Sequence, residues 1–176
     1  MINKIDLAYA ACLIDSEGSI VIRKTKPKKN HWAAYYTLMI SICNTHHGVL
    51  IDMKKMFGGS ICRYDRPDIN GYYKWQCYSL QAENCLKKLL PYFRIKKLQA
   101  ELGLLFRKTK NYNKGRKRVN ESLYLFREQV KEAISKLNHL AAAENKHSDI
   151  FFNEYEVMFR SLEKSRELAR RAAYQN

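Results

Sequence analysis

The spacing of apolar residues at the start of the chain predicts a short helix. Apolar residues recur at the i, i+3, i+4 and i+7 positions of one helical face, at Leu7, Ala10, Ala11 and Ile14. Asp6 is a suitable N-cap just before them, and Gly18 would supply the left-handed residue at which helices commonly stop. We therefore expect the first helix to begin after Asp6 and to end at Gly18.

Period-two alternation predicts four strands in the middle of the chain, over residues 19–26, 34–42, 60–66 and 72–80. The side chains expected to face the core are Ile20, Ile22, Tyr36, Leu38, Ile40, Ile42, Cys62, Tyr64, Trp75 and Cys77. The opposite face would carry Val21, Arg23, Thr25, Tyr35, Thr37, Met39, Ser41, Arg63, Asp65, Lys74 and Gln76. A basic turn containing Lys26 and Lys28 would join the first two strands.

The remaining periodicity is helical. It predicts helices over residues 49–57, 81–90 and 96–108, a longer helix capped by Asn120 and a last helix that starts near Asp149. The apolar stripe of the longer helix would be Leu123, Phe126, Val130, Ile134 and Leu137. The order of elements is then αββαββα, an α+β fold with a four-stranded antiparallel sheet and additional C-terminal helices. We expect one domain over residues 1–140 and a helical extension over residues 141–176.

The composition shows a large excess of basic over acidic residues. The 176 residues include 32 Lys and Arg against 17 Asp and Glu, a formal net charge of +15. Such an excess favours a polyanionic partner, and nucleic acid fits better than a membrane because no run of about 20 apolar residues is present. The five cysteines form no CxxC pair, so a disulfide framework or a structural zinc site is not expected. This pattern favours an intracellular, reducing compartment, such as the bacterial cytoplasm or an organelle, over secretion.

The polar face of the predicted sheet is a candidate DNA-binding surface. Arg and Lys side chains can contact guanine in a major groove, and Gln can contact adenine. The same alternation is also typical of an antiparallel sheet that merely faces water. The low acid content of this face favours a partner lined with phosphates. The predicted DNA-binding residues are Val21, Arg23, Thr25, Lys26, Lys28, Tyr35, Thr37, Met39, Ser41, Arg63, Asp65, Lys74 and Gln76.

Two acids at the end of the first helix need an explanation. Asp15 and Glu17 fall in the last turn, where the helix dipole already places partial negative charge. A bound cation would account for them, and oxygen ligands of this kind suit Mg²⁺. An ordinary core helix with an acidic end is the alternative. A signal peptide is not expected, because the apolar stretch over residues 7–14 is short and the basic residues follow it.

The segment over residues 10–18 resembles the signature of the LAGLIDADG homing endonucleases. It matches that signature at Ala11, Leu13, Ile14, Asp15 and Gly18, with Glu17 as the closing acid, and departs from it at Ala10, Cys12 and Ser16. Two further segments are similar to the family. The resemblance over residues 91–100 implies that Lys96 lies near the scissile phosphates. The one over residues 42–45 implies that Asn44 organises solvent around the metal, although Asn44 and Thr45 also make an ordinary turn.

The resemblance implies a metal-dependent DNA endonuclease that acts as a homodimer, because the chain has one motif and no internal repeat. The small residues Ala8, Ala11 and Cys12 would then let the two motif helices approach each other. Glu17, together with the main-chain carbonyl of Ser16, would hold Mg²⁺ or another divalent cation such as Mn²⁺ or Ca²⁺. Asp15 would be structural, capping or bracing the partner helix, with a metal contact as its lesser role. The DNA target would be a long pseudo-palindromic duplex.

Other functions remain open on the sequence alone. A non-cleaving nucleic-acid binder on the same scaffold, either an intron RNA maturase or a transcription regulator, would share most of these features. A structural RNA-binding protein fits the charge but leaves the acid-ended helix unexplained. The stretch over residues 107–118 holds seven basic residues, and it is either a phosphate clamp or a charged linker.

Overall fold

A computed structural model of the chain describes residues 2–25, 35–66, 69–109 and 121–143, together with single positions between 157 and 167. The helices are α1 (Lys4–Glu17), α2 (His47–Phe57), α3 (Ser79–Leu89), α4 (Lys97–Lys108) and α5 (Glu121–Ala143), with a 3₁₀ turn at Leu90–Tyr92. The strands are β1 (Gly18–Thr25), β2 (Tyr35–Asn44), β3 (Ser60–Arg66) and β4 (Ile69–Tyr78). The α+β fold and its αββαββα order are confirmed. Asn120 and most of the predicted last helix lie outside the described residues.

The four strands form one antiparallel sheet in the order β1, β2, β4, β3. One face packs against the helices and carries the buried side chains of Ile20, Leu38, Ile40, Trp75 and Cys77. The opposite face, here called the open face, follows from the strand register. It consists of Ser19, Val21, Arg23, Thr25, Tyr35, Thr37, Met39, Ser41, Cys43, Ser60, Cys62, Tyr64, Tyr72, Lys74, Gln76 and Tyr78.

Helix α5 is an integral part of this core. Its predicted apolar stripe is buried, with Val130 0% and Ile134 1% exposed. Polar contacts tie the helix to the first two strands: Glu128 lies 2.7 Å from the Lys24 ammonium and accepts a hydrogen bond from the Tyr36 hydroxyl. The predicted domain boundary at residue 140 falls within α5, which continues to Ala143. Among the described residues, no helix combines the length and the hydrophobicity needed to cross a bilayer.

Helix α1 begins three residues earlier than the sequence predicts. Asn3 is the N-cap, and its side-chain oxygen accepts a hydrogen bond from the Asp6 N–H at 2.8 Å. The Asp6 carboxylate in turn accepts from the Asn3 N–H at 3.1 Å. Asp6 is therefore the third residue inside the helix and completes a capping box; it is not the cap itself.

Gly18 ends α1 for a different reason from the one expected. Its backbone is extended, with φ −90° and ψ 165°, so it does not take the left-handed conformation. A Cβ atom at this position would lie 2.7 Å from both the Cα and the carbonyl oxygen of Ile14. Glycine is needed because the chain turns from helix to strand in close contact with the preceding helical turn.

The predicted orientation of β3 is wrong: the side chains expected to face the core lie on the open face, and those expected on the open face lie on the helix side. The register pairs Ile61 with the buried Trp75, and Cys62 with Lys74. Ile61 therefore packs toward the core, whereas Cys62 and Tyr64 belong to the open face. Arg63 and Asp65 lie on the helix side, at its exposed margin, where they form an ion pair at 2.8 Å. β3 is an edge strand with little buried surface, so the positions of its apolar residues do not show which of its faces points to the core.

Candidate metal centre and nucleic-acid interface

Glu17 is the last residue of α1, and its side chain is exposed. None of the hydrogen bonds or ion pairs among the described residues involves its carboxylate. The carboxylate thus lies at the negative end of the helix dipole, where a bound cation would stabilise it. The next residue, Gly18, already belongs to β1. The acid is therefore fixed to the sheet without a linker.

Asp15 has a role that the sequence did not reveal. Its side chain is only 8% exposed, and its two carboxylate oxygens accept hydrogen bonds from three successive main-chain N–H groups. The donors are Arg94 at 2.9 Å, Ile95 at 3.2 Å and Lys96 at 2.8 Å. These groups form the turn that leads into α4, so the acid fixes the start of that helix within its own chain. Asp15 thus has a structural role within its own chain, and its predicted contacts with a partner helix or a metal stay predictions.

Lys96 completes the link between α1 and α4. Its ammonium donates a hydrogen bond to the main-chain carbonyl of Asp15, one of the last carbonyls of α1. The side chain is 8% exposed, and this burial lowers the pKa of Lys96, while the negative charges of Asp15 and Glu17 act in the opposite direction. Asp15 and Lys96 therefore join the end of α1 to the start of α4, in a contact here called the α1–α4 clasp.

Ser16 and Asn44 flank this region. The Ser16 hydroxyl donates to the Cys12 carbonyl at 3.0 Å within α1, which leaves its main-chain carbonyl as the oxygen available to a metal. The Asn44 side-chain oxygen accepts from the His46 N–H at 2.8 Å and so forms the turn into α2. Because Gly18 pairs with Ile42, Asn44 lies at the same end of the sheet as Glu17. Its role in ordering solvent stays a prediction.

The donor set at the end of α1 fits a hard divalent cation. Glu17 offers a carboxylate and Ser16 a carbonyl, and both are oxygen ligands of the kind that Mg²⁺ prefers. Within the described ranges, no group of three or more His, Cys, Asp and Glu side chains could hold a metal ion.

The open face carries most of the predicted DNA-binding residues. Ser41 also lies there but is only 6% exposed, at the centre of the sheet between Ser19 and Gln76. Arg63 and Asp65 are on the opposite face, and Lys26 and Lys28 lie outside the described residues. The predicted residues that the structure places on the open face with exposed or partly exposed side chains are Val21, Arg23, Thr25, Tyr35, Thr37, Met39, Lys74 and Gln76.

Several open-face residues were missed by the sequence analysis. Tyr64 and Tyr72 face each other across β3 and β4, with ring centroids 5.3 Å apart and an angle of 11° between the planes. Cys43 and Cys62 are exposed on the same face. Continuing the alternation of β2 by one residue would have found Cys43. No local signal identified the residues of β3, because they depend on its pairing with β4.

One side of α1 is uncovered and largely apolar. Ile5 is 79% and Tyr9 53% exposed, and Ala8 and Cys12 lie on the same side of the helix. Ala11 is 0% exposed and packs in the core of its own chain, so the structure removes it from the predicted dimer surface. The remaining surface is available to a second copy.

The basic stretch after α4 is described only at its beginning. Arg107 forms an ion pair with Glu83 of α3 at 2.8 Å, and both side chains are largely buried. This guanidinium joins two helices and is not free to contact phosphate. Residues 110–118 lie outside the described part of the chain.

Comparisons with known proteins agree with this fold. Residues 11–111 match the LAGLIDADG endonuclease family. The structure is similar to the homing endonuclease I-CvuI bound to a DNA target in the presence of magnesium, with a TM-score of 0.63, 19% identity and coverage of 90% of this chain and 95% of that one. The same enzyme bound to its own target in the presence of calcium gives a TM-score of 0.62 at 19% identity, over 90% and 94% of the two chains.

The LAGLIDADG meganuclease I-CpaMI bound to uncleaved DNA gives a TM-score of 0.56 at 12% identity, over 86% of this chain and 49% of that one. At these identities the likeness extends to the fold alone. No curated protein sequence matches the chain.

Proposed function

Because this chain belongs to the LAGLIDADG endonuclease family, we propose that it hydrolyses phosphodiester bonds of double-stranded DNA at a long pseudo-palindromic target. We propose further that it acts as a homodimer with a divalent cation. The observation that carries the proposal is the exposed Glu17 carboxylate, which makes no hydrogen bond or ion pair among the described residues and is joined directly to the first strand of the open face. This arrangement supports the proposal, because it would hold a metal ligand at one end of the surface proposed for DNA.

Glu17 and the main-chain carbonyl of Ser16 would hold the cation. Mg²⁺ is the expected ion, and Mn²⁺ or Ca²⁺ could occupy the same oxygens; the structures of I-CvuI were obtained with magnesium or calcium. Such an ion polarises a phosphate and lowers the pKa of an attacking water. The exposed position of Glu17 leaves room for DNA beside it.

Lys96 would stabilise the charge that develops on the phosphate. An ammonium carries three donors, and the Asp15 carbonyl uses one, so two remain for phosphate or water. The clasp holds this cation in place before DNA binds, which is the arrangement that electrostatic catalysis requires. The Asn44 amide nitrogen is free of the turn that its oxygen makes and would help to order the attacking solvent.

Base contacts would come from the open face. Arg23 and Lys74 can address guanine, and Gln76 can address adenine. Arg23 is exposed near the far end of β1, and Lys74 and Gln76 lie on the central strand β4. The net charge of +15 would add sequence-independent attraction to the phosphates.

Cleavage by the wild-type chain is the direct test. The probe is a duplex that carries the DNA flanking the gene's own insertion point, joined without the insert. We expect Mg²⁺ to support cutting of both strands, and EDTA to stop cutting while the duplex stays bound in a gel-shift assay. If the chain binds this duplex but never cuts it with Mg²⁺ or Mn²⁺, it is a non-cleaving binder such as an intron RNA maturase or a transcription regulator.

Homodimerisation gives a second prediction. An Ala8→Arg substitution would place an unpaired charge on the apolar side of α1, and burying such a charge costs several kcal/mol. We expect this variant to be monomeric in light scattering after gel filtration, at concentrations where the wild type is a dimer. Asn84→Arg on the exposed side of α3 is the matched control and should remain a dimer. A monomeric wild type would contradict the proposed assembly.

A further inference from the structure

The open face carries two exposed thiols in an unusual arrangement. Of the five free cysteines, Cys77 and Cys85 are buried, whereas Cys12, Cys43 and Cys62 are exposed. Cys12 lies on α1, away from the sheet. Cys43 and Cys62 both face the surface that we propose for DNA. Nothing in the proposed cleavage reaction uses either thiol.

The strand register brings these two thiols to the same lysine. Cys43 of β2 pairs with Lys74 of β4, and Cys62 of β3 pairs with the same Lys74 from the other side. Side chains directly opposite each other in an antiparallel pair have Cβ atoms about 5 Å apart. The three residues therefore form one row across the open face, with a cation between two thiols.

The row cannot close into an internal disulfide. Cys43 and Cys62 are two strands apart, about 10 Å, because adjacent strands lie about 4.8 Å apart. A disulfide needs Cα atoms within about 7 Å of each other. Each thiol therefore stays open to reagents from solution. The Lys74 ammonium between them would attract a small anionic disulfide.

We propose that Cys43 and Cys62 form a thiol-modification site at which glutathione disulfide, or a similar small anionic disulfide, forms mixed disulfides that block DNA binding. In each event the cysteine thiolate attacks one sulfur of the reagent, and a new S–S bond forms between protein and glutathione. The S–S bond of the reagent breaks, and the released glutathione thiolate takes up the proton that the cysteine lost. The cysteine is oxidised, and one half of the reagent is reduced.

The effect on DNA binding follows from charge and position. A glutathionyl group adds two carboxylates and one ammonium, so each adduct introduces net negative charge beside Lys74. It also occupies space above the centre of the sheet, where the major groove would lie. This inference rests on the proposed DNA binding by the open face.

The test treats the full chain with glutathione disulfide, locates the adducts by peptide mass mapping and measures binding of a fluorescent random-sequence duplex at low salt. We expect adducts at Cys43 and Cys62 and affinity weakened at least about tenfold, with full recovery after dithiothreitol. For each variant, the affinity for the duplex is measured before and after treatment with glutathione disulfide. Treatment should leave the affinity of a Cys43→Ser, Cys62→Ser double variant unchanged. It should weaken the affinity of a Cys12→Ser variant as much as it weakens that of the wild type.

Three results would overturn the proposal. The first is adducts at Cys43 and Cys62 with unchanged affinity, and the second is reaction at Cys12 without reaction at the other two. The third is an equal loss of affinity in the double variant. Failure of the untreated protein to bind the duplex would instead overturn the DNA-binding function, and the peptide map would still decide whether these thiols are the modification site.

Discussion

Replacing Glu17 with glutamine is expected to abolish DNA cleavage while leaving DNA affinity and folding intact. Glu17 is exposed at the end of α1 and supports no contact within the described residues, so the fold does not depend on its charge. The proposed cation does depend on it, because the amide of glutamine is a much weaker ligand than a carboxylate. A loss of about 4 kcal/mol of transition-state stabilisation corresponds to about a thousandfold in rate.

Cleavage of the insertion-site duplex under single-turnover conditions, with binding measured in parallel, is the appropriate measurement. Glu132→Gln is the matched control, because Glu132 is exposed on α5, where it forms a surface ion pair with Lys136. That variant should cut like the wild type. Retention of cleavage by the Glu17→Gln variant would remove Glu17 from the proposed metal site.

Replacing Asp15 with alanine is expected to destabilise the protein by about 3 to 5 kcal/mol. The substitution leaves the main-chain N–H groups of Arg94, Ile95 and Lys96 without their acceptor. It also removes the buried negative charge that faces the Lys96 ammonium. Asp15→Asn should fall between the wild type and alanine, since it keeps one acceptor oxygen in place.

Urea unfolding followed by circular dichroism would measure these differences in the free energy of unfolding. Ser16→Ala is the neighbouring control. Its hydroxyl only bonds to the preceding turn of its own helix, so its loss should change the free energy of unfolding by less than about 0.5 kcal/mol. Equal stability of the Asp15→Ala variant and the wild type would show that the α1–α4 clasp contributes nothing to the fold.

The sequence predicted the parts of the fold in which one face of an element is fully buried. Alternation in β1 and β2 placed Ile20 and Leu38 in the core because burial on one side imposes a strict period of two. The apolar stripe of α5 was predicted for the same reason. In β3 the rule failed, since an edge strand buries little and both Ile61 and Cys62 could have faced inward.

In the candidate site, too, only the features with a local sequence signal could be predicted. The position of Glu17 could be inferred because an acid at a helix C-terminus is a local anomaly in the sequence. The partners of Asp15 could not, because they lie 79 to 81 residues away and contact it only after α4 has packed against α1. Ala11 shows the same limit, since small size alone does not tell whether a side chain faces a partner or its own core.

The direct passage from α1 into β1 has a consequence for how such an enzyme could change its target. With no residue between Glu17 and Gly18, a single peptide bond joins the proposed metal ligand to the first strand of the open face. Inserting one residue after Gly18 would exchange the two faces of β1 and expose Ile20 and Ile22. Under the proposed function, substitutions at Arg23 or Thr25 would alter base preference and would leave the position of Glu17 relative to β1 unchanged.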